Sequence, residues 1–389
     1  MQNPANTVEL ARLVELAETL IAIPSVTNQE HDIADWAYEH FKAIGLTGVQ
    51  RLAVKDSGDT VIGWVDGPAQ GPALMFNFHL DTFPVCEGWS TDPLTPHFEN
   101  GRLYGLGSHD MKGGGACALA AVEAIIAAGV ELGGRLIVSG TTDEENWSRG
   151  AHALINSGLL EGCQYCLIPE PSLPATLTVG ARGRHVFHLT FRGKTSHAAY
   201  DDQGINAIVD AAQAIAELEG IDLGFDEEFG ISGSLCVIGF HGGGTLILVP
   251  EEAHVFIDRH ILPGQTVEEA AAQIEAAVRR AGISSAHELT WDERPTPAPL
   301  PYVVPSDSLL VQTVRRNIER ELGQPARLFL QRSVADTNHF AVYGGIPTLV
   351  WGPQGGNTCQ ANEYVKVDSM PAVARIYIQT AIDLLGIRS

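Results

Sequence analysis

The stretch "ALMFNFHLD", Ala73–Asp81, decides how this chain folds. Residues 73–78 form a short, largely apolar run without the polar alternation of a half-exposed strand, which predicts a buried strand. It ends at His79, and Asp81 follows two residues later. In open α/β sheets, ligands bind beyond the carboxyl ends of the strands. These two residues therefore mark a candidate site as well as a strand end. Two apart in an extended segment, they point to the same side, where a carboxylate accepts the imidazole N–H and turns the other nitrogen toward a metal.

Outward from this strand, helix and strand signals alternate. Helical periodicity covers 8–22 and 31–44, and "MKGGGACALAAVEAIIAAG" (111–129) predicts a helix with a glycine-rich first turn. Strands are expected at 134–142 and 165–170, with a helix at 149–158 between them. This order predicts an α/β fold with a mixed, mostly parallel sheet and helices on both faces. The rhythm changes after residue 180: strand 184–192, helix 204–219, strands 234–241 and 253–262, helix 266–281 and strand 286–291. That pattern predicts an inserted α+β domain with antiparallel pairing. The proline-rich "DERPTPAPLPYVVPS" (292–306) reads as a connector. After it come helix 307–322, strands 326–331 and 346–351, and a terminal helix 369–386. The expected domains are 1–180 with 294–389, interrupted by 181–293.

Composition narrows the class. The 389 residues, 45% of them hydrophobic and 18% charged, suit a globular chain large enough for two cores. A net charge of −23 argues against nucleic acid and anionic membrane surfaces as partners. The N-terminal segment has neither a basic n-region nor an apolar h-region, and no run is long enough to span a bilayer. The six cysteines are too scattered for a disulfide framework, which favours a reducing, cytoplasmic setting. Cys163 and Cys166 have redox-motif spacing but read as burial at a strand entrance. The histidines at 152, 185, 188, 241, 254 and 287 have no convergent partners in the sequence.

Chemistry-bearing residues collect at the strand ends. Glu144 and Glu145 follow strand 134–142, and adjacent carboxylates there repel unless a cation or shared proton holds them. Neighbouring side chains diverge, so one can bind metal while the other serves a water as general base. Asp110 precedes the glycine-rich helix, Glu170 ends strand 165–170, and Cys359 lies in the loop after strand 346–351. Oxygen, nitrogen and sulfur donors of this kind are ligands zinc accepts. Asp110, in a glycine-flanked loop, is the candidate bridge between two ions.

The motifs "HLDTFPV", "DPLTPHFENGRLYGLGSHDMKGG", "TTDEENWSRGAHALI", "PEPS", "GKTSHAAYDDQGINAI", "DRHILPG" and "GPQGGNTCQANEYV" occur in that order. Together they resemble the dinuclear zinc peptidases and deacylases that include acetylornithine deacetylase, succinyl-diaminopimelate desuccinylase, carboxypeptidase G and aminoacylase. The resemblance spans nearly the whole chain. It implies a zinc-exopeptidase-like catalytic domain and a lid domain that also dimerises. It also implies two zinc ions, replaceable by cobalt or manganese, and hydrolysis of an amide in an N-acyl amino acid or small peptide.

Carried over residue by residue, His79 and Glu170 each bind one zinc, Asp110 bridges and Glu145 binds the second ion. Glu144 is the general base, Asp81 the partner of His79, and His197 the lid histidine that reaches a partner subunit's site. Arg259, His260, Asp336 and His339 are the candidate substrate contacts. Where the family has its last ligand histidine, this chain has Cys359. A thiolate ligand and a free thiol beside a single-metal site both remain open there. Ile247 stands where the family carries an asparagine, and His260 where an arginine is common. A non-catalytic or single-metal binding protein on the same scaffold, and a hydrolase regulated through its thiol, are the alternatives these departures leave.

Overall fold

A computed structural model describes residues 3–68, 71–244 and 246–388. Residues 73–79 are buried along their whole length, so both faces of the sheet around them are covered. Ala73–His79 runs parallel to Arg135–Thr141 on one side and to Cys163–Ile168 on the other. Thr348–Val350 continues the parallel set beside Cys163–Ile168. Gly48–Leu52 and Thr60–Val65 add an antiparallel edge, and Thr176–Ala181 pairs antiparallel to Thr348–Val350. Among the described residues the sheet has nine strands, mixed and mostly parallel at its centre.

Helices Leu10–Ala22, Gly113–Ala127 and Met370–Leu385 pack against one another, and the latter two lie on strand Ala73–His79. The helix at 113–127 is apolar nearly all round and buried nearly all round, as that pattern requires. Its glycine-rich start has a steric cause. A Cβ on Gly114 would lie 2.0 Å from the carbonyl oxygen of Pro169, so only glycine lets this helix meet the next strand end.

The chain divides into two compact units. The first comprises residues 1–180, 303–329 and 335–389, and the second residues 181–302 and 330–334. The return to the first unit thus falls inside the proline-rich stretch, which itself lies mostly in the second.

The second unit is built on an antiparallel sheet ordered Ser234–Gly242, Glu252–Ile261, Gly183–Arg192, Ala286–Trp291. Helices Ala207–Leu218 and Val267–Arg280 cover one face, burying Phe187, Leu189, Phe191, Val255, Ile257 and Ile274. Strand periodicity puts the residues between these on the opposite face. Asn206 caps the first helix, and Thr266 with Glu269 forms a capping box on the second.

Several elements escape the sequence reading. The short strands His97–Glu99, Arg102–Tyr104, Gly355–Gly356 and Tyr364–Lys366 form a small sheet of their own. Its hairpin between 356 and 364 carries Cys359. Among the described residues, no helix is long and apolar enough to cross a membrane.

Candidate metal centre

His79 stands at the carboxyl end of the central strand with its ring buried. Its Nδ1 lies 2.9 Å from the backbone carbonyl of Asp81, which leaves Nε2 facing outward, 3.1 Å from Asp110 Oδ1 and 3.6 Å from Glu170 Oε1. The expected carboxylate–imidazole bond is corrected here: the nearest Asp81 carboxylate oxygen is 3.7 Å from Nδ1. That carboxylate instead accepts the backbone N–H of Glu144 and of Glu145, each at 3.1 Å, and the Thr27 hydroxyl at 3.0 Å. The loop after the neighbouring strand claims its oxygens, so only the carbonyl is left for the ring. Asp81 therefore pins both glutamates in place.

Asp110 faces two ways. Its Oδ1 meets His79, and its Oδ2 accepts a hydrogen bond from Cys359 Sγ at 3.6 Å. His79, Asp110 and Glu145 each offer a ligand atom, all within 4.8 Å of one another. Glu170 follows strand Cys163–Ile168 and is also buried. The site thus offers one imidazole, several carboxylates and a thiol.

The electrostatics show what this donor set lacks. Burial first, and then the neighbouring carboxylates, push Glu170 and Glu144 well above the usual carboxylate range and Glu145 up to about 11. Burial opposes the charged form of His79, yet Asp110, Glu170, Glu144 and Asp81 together hold it well above the usual imidazole value. Glu145 Oε1 is buried without a hydrogen-bond partner. A group of anions with one unpaired, inward oxygen fits a bound divalent cation, which supplies the missing positive charge.

Glu363 is a residue whose part the sequence reading missed. Its carboxylate accepts the backbone N–H of Gly107 at 2.9 Å, His109 at 3.0 Å and Asp110 at 2.8 Å. It is buried and sets the loop that presents Asp110. The only sequence signal is its place in the "NEYV" run.

Asp336 and His339 begin helix Asp336–Val342 and are buried. The Asp336 N–H donates to Glu144 Oε1 at 3.2 Å, so this helix start touches the candidate base directly. Burial raises the Asp336 carboxyl to about 6, with the hydroxyls of Thr141 and Ser148 opposing. His339 Nδ1 lies 2.8 Å from His152 Nε2, giving His152 a partner the sequence did not reveal.

The remaining candidates belong to the second unit. His197 is exposed there, and its Nδ1 accepts the Ala199 N–H at 3.1 Å. Arg259 lies on the helix-covered face, where it is 1% exposed and bonded to the carbonyl of His260 and to Gln273 Oε1. This placement makes Arg259 a packing residue in place of the expected substrate contact. His260 points to the other face, 3.5 Å from Asp258, and burial lowers its imidazole to about 4. All six cysteines are free, Cys166 buried and Cys359 exposed.

A mixed α/β sheet with a carboxylate-rich cluster at its strand ends that fits a divalent cation is the framework of a metal-dependent enzyme. The sequence comparisons make the class specific. The chain belongs to the Peptidase family M20/M25/M40, whose profile matches residues 75–383.

It is 30% identical over 387 residues to a succinyl-diaminopimelate desuccinylase of Halorhodospira halophila, spanning 97% of this chain and 99% of the relative. A desuccinylase of Hydrogenovibrio crunogenus is 26% identical over 387 residues, with 97% and 100% covered. Among solved structures, a tripeptidase from Staphylococcus aureus shares the fold with a TM-score of 0.82 at 22% identity, covering 97% of this chain and 99% of that one. A dinuclear metal-binding M20 peptidase of Bacillus subtilis has a TM-score of 0.72 at 17% identity, covering 97% and 98%.

Proposed function

We propose that the protein is a zinc-dependent deacylase that releases an acyl group, succinyl first among them, from an N-acyl amino acid. The observation that carries this reading is the two-sided Asp110, with His79 at one carboxylate oxygen and Cys359 at the other, and with Glu170 beside the same His79 nitrogen. Full-length similarity to desuccinylases supports the substrate class.

In this reading His79 and Glu170 would hold one ion, Glu145 and Cys359 would hold the other, and Asp110 would be shared by both. When bound, the ions polarise the scissile carbonyl and acidify the attacking water. Glu144 takes the proton of that water and returns it to the leaving amine. Its Oε1 is fixed by the Asp336 N–H, leaving Oε2 for proton transfer. Asp81 sets the backbone of Glu144 and Glu145, and so the angle at which both carboxylates enter the site.

His197 belongs to this reading as the carbonyl-polarising group supplied to a partner subunit, and His260 and His339 as pocket lining. A homodimer through the second unit belongs to it too, since the edge strand Ser234–Gly242 leaves Ile238 and Phe240 exposed. Six free cysteines fit a reducing, cytoplasmic setting.

The test is turnover of N-succinyl and N-acetyl amino acids and of a tripeptide, before and after chelation. The expected outcome is preferential hydrolysis of the succinyl compound, abolished by chelator and restored by zinc. Turnover indifferent to chelation, or no turnover with zinc in excess, would contradict the reading.

A further inference from the structure

The helix-free face of the second unit carries a cluster that the hydrolytic site does not use. Strands Gly183–Arg192 and Glu252–Ile261 are antiparallel neighbours in a register that sets His254 opposite Thr190 and Phe256 opposite His188. Phe187, Leu189, Val255 and Ile257 enter the core beneath the helices, so these four residues face the other way.

There, His188 Nε2 lies 3.2 Å from His254 Nδ1. Thr190 Oγ1 lies 3.4 Å from the first nitrogen and 3.3 Å from the second. Three lone-pair atoms thus form a nearly equilateral triangle. The imidazole–imidazole edge is at the upper end of the usual hydrogen-bond range of about 2.7–3.2 Å, and the two edges to Thr190 lie just beyond it. They match the separation of two ligands on a tetrahedral ion, roughly 3.3–3.4 Å when each metal–nitrogen bond is about 2.0–2.1 Å.

The surroundings are built for the same purpose. His254 turns Nδ1 into the triangle and its other nitrogen, Nε2, toward Glu252 Oε1 at 3.7 Å. At that distance the carboxylate acts as a nearby negative charge and not as the hydrogen-bonded partner that fixes a ligand imidazole. Glu252 is itself held by Arg192 at 2.6 Å. The His188 ring stacks on Phe256, centroids 4.5 Å apart and planes within 5°, which locks its orientation. Thr190 is buried and forms the floor, while the His254 side chain is 33% exposed and leaves an entrance. His241, exposed on the outer strand and directly opposite His254, lies within the reach of a cross-strand pair.

We propose that His188, His254 and Thr190 form an accessory site for a late first-row divalent cation of the zinc type, clipping together the two central strands of the second unit. The two imidazoles favour zinc, copper or nickel over magnesium or calcium. The site is separate from the carboxylate-rich centre in both residues and donor chemistry.

Equilibrium dialysis of the full-length protein against zinc alone, read by elemental analysis, tests this. Wild type should retain one zinc per chain more than His188→Gln or His254→Gln, with hydrolytic turnover unchanged in both variants. Equal zinc content in all three proteins would overturn the proposal. Should either variant fold poorly, wild-type crystals soaked in zinc decide the matter. An anomalous peak at the centre of the triangle supports the site, and its absence at full zinc occupancy of the carboxylate centre rejects it.

Discussion

Replacing Glu144 by glutamine should lower kcat by roughly 10²–10⁴-fold, the usual contribution of a positioned general base. That loss corresponds to about 3–5 kcal/mol of transition-state stabilisation. The substitution is nearly isosteric and retains an oxygen for the Asp336 N–H, so the side chain keeps its place. Glu145, pinned separately through its own backbone N–H to Asp81, is not disturbed. Metal content should therefore equal that of wild type, and KM should change far less than kcat. Steady-state kinetics with elemental analysis on the same preparation check both halves. Undiminished turnover would remove Glu144 from the mechanism, and metal loss would make it a ligand instead.

Asp110→Ala should produce the opposite pattern, with metal and activity lost together. Asp110 is the residue whose two oxygens face separate donors, His79 on one side and Cys359 on the other. Without it, the remaining carboxylates have no shared anchor, and each half of the site loses a charged ligand. Metal content should fall from two equivalents to one or none, and turnover should drop at least as far as in Glu144→Gln. The fold should persist, because Glu363 binds backbone N–H groups of the loop and makes no use of the Asp110 side chain. Circular dichroism beside elemental analysis separates metal loss from unfolding. Full metal retention in this variant would show that Asp110 is not a bridge.

The central strand is legible in the sequence because an unbroken apolar run that closes on His79 and Asp81 suits a covered strand delivering polar groups to a sheet edge. The glycines before helix Gly113–Ala127 are legible as a close approach, although only the structure supplies the carbonyl of Pro169 that they meet. The gathering of His79, Asp110, Glu144, Glu145 and Glu170 follows from parallel strands delivering their loops to one edge. Three features stay hidden.

The small sheet that holds the Cys359 hairpin consists of strands two or three residues long, too short to display a period. Glu363 acts through three backbone N–H groups more than 250 positions away, and backbone donors leave no mark in a sequence. His188 and His254 are brought together by strand register, which residue identities alone do not specify. Arg259 is named as a candidate substrate contact beside His260, with strand alternation expected to turn it the other way. On a strand, one residue of offset sends it to the opposite face, into the packing under helix Val267–Arg280.

The departure at Cys359 is where sequence and geometry meet most usefully. Its backbone is left-handed, with φ at 56°, and its sulfur is turned to Asp110. That orientation serves a ligand sulfur and equally a thiol that only donates a hydrogen bond to Asp110. Data collected at the zinc absorption edge from crystals grown with zinc test this most directly. The account predicts two anomalous peaks flanking Asp110, one contacted by His79 and Glu170 and the other by Glu145 and the Cys359 sulfur. A cluster with no peak, or a single peak with the sulfur directed into solvent, would contradict it.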